Sequence, residues 1–145
     1  MTQKLTFLCA AFVLAMATPA GAQRFLYTGL PDSAVLSFFG RLQKAVGAGD
    51  RAAVAGMVKY PFRVNRDATH HANIETAAEL LKQYAAVFTP GIRKAIVTET
   101  AAKLTGSPDG VAIKAGAVWI AGTCDKSLPR KCRLGVASVN LHGEK

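Results

Sequence analysis

The spacing of apolar residues changes once along this chain, near Lys103, and that change limits the folds open to it. Before it, Val35, Phe39, Leu42 and Val46 recur at helical spacing, and Ile74, Ala77, Leu81, Tyr84 and Phe88 form a second stripe. After it, KLTGSPDGVAIKAGAVWIAG reads as a strand, a turn at Ser107 to Gly110 and a longer strand. LGVASVNL reads as one more strand. Only KYPFRVN, residues 59–65, alternates within the helical half. Helices first and a strand meander last predict an α+β fold, with N-terminal helices packed on one face of a curved antiparallel sheet.

The punctuation agrees with this order. Pro31, Asp32 and Ser33 open the first helix, and Gly47 and Gly49 close it. Asp50 is placed to cap a short second helix, DRAAVAGMV. RDATHHAN reads as a loop, with Asn73 as the cap of the third helix and Glu75 and Glu79 near its start. Thr89 and Pro90 break that helix and open a fourth, GIRKAIVTE.

Residues 1–22 read as an export signal. Lys4 supplies a positive start, Leu5 to Ala17 an apolar run too short for a stable membrane span, and Ala20-Gly21-Ala22 a small-x-small cleavage pattern. Leu8 before Cys9 argues against a lipoprotein. Residues 23–145 then form a single domain with no later stretch apolar enough to span, placed in a bacterial periplasm or outside the cell. Removing the signal leaves 17 basic and 9 acidic residues, a net charge of +8. Such a surface attracts anionic lipid, acidic glycan or an acidic protein, or serves solubility alone. Nucleic acid is a poor partner in that compartment.

Cys124 and Cys132 remain after cleavage, an even count in an oxidising compartment. A disulfide between them would clamp the hairpin loop DKSLPRK and contribute about 2.5 kcal/mol by chain entropy. C-x7-C without a nearby histidine is not a zinc spacing, and no C-x-x-C is present for redox work.

Four residues are candidates for a ligand site: Tyr60, Arg63, Asn65 and Trp119. Arg63 would hold a carboxylate or phosphate if its face of the strand looked into a pocket. The alternative puts Tyr60, Phe62 and Val64 on the core side and Arg63 in solvent. Trp119, which shares a strand face with Ala115, Ala117 and Ala121, either lines a pocket or fills a core. Lys126, Arg130, Lys131 and Arg133 make the cysteine-clamped loop a basic patch for an acidic partner or anionic headgroups, or simply a solvated turn. His70 and His71 read as an exposed loop rather than half a metal site, and the alternative for Asp67 with His70 is a base pair in which the carboxylate orients the imidazole. No phosphate loop, nucleophile elbow or dinucleotide fingerprint is present, so no cofactor is implied.

The order of KYPFRVN, QYAAVFTPGIRKAI and GVAIKAGAVWIAG, ending in a strand that closes on VN, resembles exported bacterial proteins of the nuclear transport factor 2-like superfamily. The resemblance covers residues 33–141. It implies a cystatin-like α+β cone and a homodimer formed through the sheet. It leaves function open, because the fold hosts isomerases, dehydratases, cyclases, transport adaptors and immunity proteins. The Asp–His or Asp–Tyr set of the superfamily's enzymes does not map onto this chain. The sequence therefore reads as an exported protein that binds a small anionic or amphipathic molecule, or a protein partner. The alternatives are a small lyase or isomerase, and an inhibitor or immunity protein using the basic hairpin.

Overall fold

A computed structural model describes residues 23–126 and 131–142. The signal-like segment and Arg130 lie outside the described residues. Among those described, no helix is long and apolar enough to cross a membrane.

The helical segment opens with α1 (Asp32–Gly47) and α2 (Arg51–Gly56). The Asp50 side chain caps α2 by accepting from the Ala53 amide at 2.9 Å. Then come β1 (Val58–Asn65), β2 (His71–Ile74), α3 (Ala77–Lys82), α4 (Tyr84–Val87) and α5 (Pro90–Thr98). The meander is β3 (Thr105–Ser107), β4 (Gly110–Ile113), β5 (Val118–Cys124) and β6 (Cys132–Asn140). The strands form one sheet in the order β2-β1-β6-β5-β4-β3.

The α+β class holds, but five expectations are corrected. The sheet is mixed, not antiparallel throughout, because β6 returns beside β1 running in the same direction. RDATHHAN is not all loop: Asp67 accepts hydrogen bonds from the Thr69 and His70 amides, and the chain turns back as β2. Asn73 therefore pairs with Arg63 in a ladder and caps nothing; Thr76 caps α3 instead, accepting from the Glu79 amide at 3.2 Å. The expected long helix is broken at Gln83 into α3 and α4, and its phase shifts so that Leu80 is buried and Leu81 exposed.

The expected long strand after Gly110 is also interrupted. Lys114 (φ 49°), Ala115 (φ 52°) and Gly116 (φ 91°) lie in the left-handed region and turn the chain between β4 and β5. Ala115 thus leaves Trp119's strand face for a turn. Two of these three residues carry a Cβ, so local preference does not select this conformation. Tertiary contacts hold it. The Glu99 carboxylate accepts from the Lys114 amide at 2.9 Å, and the Asn140 side-chain amide donates to the Gly116 carbonyl.

Alternation in β1 is regular. Phe62 and Val64 are buried, while Lys59, Pro61 and Arg63 are exposed. The inner face continues through Val111, Ile113, Val118, Ile120, Val136 and Val139. Against it pack Phe38, Phe39 and Leu42 of α1 and the aromatic column Tyr84–Phe88–Phe62, with ring centroids 5.0 and 6.2 Å apart. Burial of this set is the main favourable term holding helices to sheet.

Candidate functional site

The space between helices and sheet is filled by that aromatic column and its neighbours. A concave surface lies instead at the end of the sheet. α5, the β4–β5 turn and the end of β6 enclose an open cleft of about 850 Å3. α5 contributes Ile92, Lys94, Ala95 and Thr98; the turn contributes Lys114 to Ala117; β6 and its continuation contribute Asn140 and His142. α5 stands here because Thr89 caps it, accepting from the Ile92 amide at 3.2 Å, and because Gln43 of α1 donates to the carbonyls of Ile96 and Glu99 at its far end.

The cleft has an apolar floor and a basic rim. Ile92 and Ala95 are buried, Ala117 half-buried; Lys94, Lys114 and His142 are exposed. Among the described residues no acid lines the cleft, and the nearest carboxylate, Glu99, is buried behind the turn and accepts from the Lys114 amide. Of the eight acids among the described residues, six accept hydrogen bonds from backbone amides: Asp32 from Phe25, Asp50 from Ala53, Asp67 from His70, Glu79 from Glu75, Glu99 from Lys114 and Asp125 from Lys131. Of these, Asp32, Asp50, Glu79 and Glu99 pair with no lysine or arginine among the described residues. Backbone capping has taken the carboxylates and left the cations to solvent.

A chain of side-chain hydrogen bonds runs from the sheet to the cleft. Arg63 Nε donates to Asn65 Oδ1 at 2.8 Å, Asn65 Nδ2 to Asn140 Oδ1 at 2.6 Å, and Asn140 Nδ2 to the Gly116 carbonyl. The asparagines meet because β1 and β6 pair Asn65 with Asn140. This fixes the amide orientations and ties the turn to the sheet.

The four sequence candidates divide. Tyr60 lies on the helix side, half-buried, and its hydroxyl donates to the Ala55 carbonyl at 2.9 Å; burial raises its pKa above the usual 10. Arg63 and Trp119 lie on the opposite face of the sheet, the first exposed and the second half-buried, and Asn65 lies beside them. The indole edge rests against the turn: a Cβ at Gly116 would be 3.4 Å from Trp119 Nε1. Cys124 and Cys132 face each other across the β5–β6 ladder with their sulfurs at bonding distance. Lys126, Lys131 and Arg133 are exposed around that hairpin, and Lys59 of β1 lies beside Arg133.

Asp67 holds His70 Nδ1 at 2.8–2.9 Å, but in an exposed loop. The Thr69 and His70 amides, then the His70 ring and the Thr69 hydroxyl, lower the Asp67 pKa to about 2. Among the described residues no three His, Cys, Asp or Glu side chains gather to hold a metal ion.

Sequence reasoning missed Lys94, Lys114, Asn140 and His142. The first lies in a helix with no motif, and the other three depend on the turn and on β6 returning beside β1. The chain matches no family model, no curated protein and no solved structure.

Proposed function

We propose that this protein binds a small anionic amphiphile in the cleft between α5 and the β4–β5 turn. The observation that carries the reading is an apolar floor (Ile92, Ala95, Ala117) beneath three basic side chains, Lys94, Lys114 and His142, with no acid on the rim. An apolar tail gains by leaving water, and an anionic head gains from the ammonium groups. Glu99, the buried carboxylate nearest this site, has both oxygens bonded to backbone amides, which favours a scaffold role for it over acid–base work.

We place the chain outside the cytoplasm and in the nuclear transport factor 2-like superfamily. The signal-like start and the Cys124–Cys132 pair support the first. Helices on one face of a sheet whose last strand returns to the first support the second.

Trp119, the sole tryptophan, lies against the turn and reports on the cleft. Dodecanoate should change its fluorescence saturably. Dodecanol, which lacks the charge, and acetate, which lacks the tail, should bind at least about tenfold more weakly. Equal binding of dodecanol, or of acetate, would overturn the reading.

A further inference from the structure

The face of the sheet opposite the helices carries a second arrangement, which adjoins the cleft at Gly116 and Asn140. The ladder pairs Arg63 with Asn73 on β2 and with Ser138 on β6, and pairs Ser138 with Trp119 on β5. Asn73, Arg63, Ser138 and Trp119 thus form one row across four neighbouring strands. At the usual strand spacing the row spans roughly 14 Å. Alternation sends all four to the side opposite Phe62, Val118 and Ile120, which face the helices.

Each member brings a distinct capability. Arg63 is exposed, and its Nε is already engaged by Asn65, which orients the guanidinium and leaves its terminal N–H groups directed to solvent. Asn73 and Ser138 both donate and accept. Trp119 supplies a ring that is half-buried and braced against Gly116. A forked cation, neutral donor–acceptors and a rigid ring at one end match a polymer of ring-shaped, hydroxylated, carboxylate-bearing units. Lys59 adds positive charge on the same strand face. A second copy of this face would add its own arginine and lysine to strands that carry no acid, which argues against self-association as the occupant.

We propose that this face docks an acidic glycan, with Trp119 stacked on a sugar ring and Arg63 paired to a uronate carboxylate. The test is calorimetric titration of the mature protein with a short oligogalacturonate, its fully methyl-esterified form and inorganic polyphosphate. Binding of the acid form is expected, with at least about tenfold weaker binding by the ester and by polyphosphate. Arg63→Gln and Trp119→Phe should each weaken the acid form by a similar factor, whereas Lys94→Gln with Lys114→Gln should leave it unchanged. Polyphosphate binding as tightly as the glycan would overturn the proposal, since charge alone would then suffice. So would unchanged binding in both single variants, loss in the cleft variant, or a dimer that dissociates on Arg63→Gln. Failure of the cleft reading would leave these outcomes unaffected.

Discussion

Phe62 and Arg63 are neighbours in β1 and face opposite sides of the same sheet. The side that receives Phe62 is covered by helices and packed with aromatic rings. The side that receives Arg63 carries amides, a hydroxyl, a half-buried indole and unneutralised cations. One face therefore holds the fold together, and the other face and the rim carry groups that folding does not consume. A change on the first should alter stability, and a change on the second should alter binding.

The sharpest way to break that division is Phe62→Ala against Arg63→Ala. Phe62 is fully buried and stacked on Phe88, so its truncation should cost about 3–5 kcal/mol, read from urea unfolding. Arg63→Ala should cost less than about 1 kcal/mol. Comparable losses would show that the outer face is also structural. Next in size is the hairpin clamp. Cys124→Ser with Cys132→Ser should cost about 2.5 kcal/mol, since the closed loop is short, and should leave the cleft's affinity unchanged.

Asn140 joins the two regions, so its replacement should register in both. Asn140→Ala removes the bonds to Asn65 and Gly116. It should cost about 1–2 kcal/mol and also weaken binding in the cleft, by freeing the left-handed turn. A loss of stability with affinity retained would detach the turn from the site. Lys94→Gln with Lys114→Gln should do the opposite, changing stability by less than about 0.5 kcal/mol while reducing dodecanoate affinity about tenfold.

The smallest effect belongs to the Asp67 loop. Its carboxyl titrates lower in the folded chain, near 2, than the ordinary 3.8. A depressed folded value means that the loop's contribution is fully present above about pH 4 and is lost as pH falls through 2. Ring resonances of His70 should report that loss, and Asp67→Asn should abolish the pH dependence while leaving the cleft untouched.

What was legible in the sequence follows the same division. The first helical stripe and the alternation of KYPFRVN mark inward-facing residues, because burial imposes a period on them; the second stripe fails at Ile74, which lies in β2, and at Leu81, which is exposed. Thr89-Pro90 and Asp50 mark caps because the backbone amides there need an acceptor. The turn at Lys114 to Gly116 was not legible. Its conformation is imposed by Glu99, fifteen residues away, and by Asn140 on another strand. The cleft depends on that turn, so it was hidden with it. The row from Asn73 to Trp119 was hidden too, since it exists only once β6 lies parallel to β1. β2 could have been found from the Asp67 turn, whose carboxylate accepts from amides two and three residues on.

The most direct test of the central claim is a map of backbone amide chemical shifts as dodecanoate, below its micellar concentration, is added to the mature protein. Saturable changes concentrated at residues 91–98, 114–117 and 140–142 are expected. Changes centred on Phe62, Tyr84 and Phe88 would place the ligand inside the packed core, and changes spread over the exposed lysines would reduce the interaction to surface charge; either would contradict the cleft as the binding site.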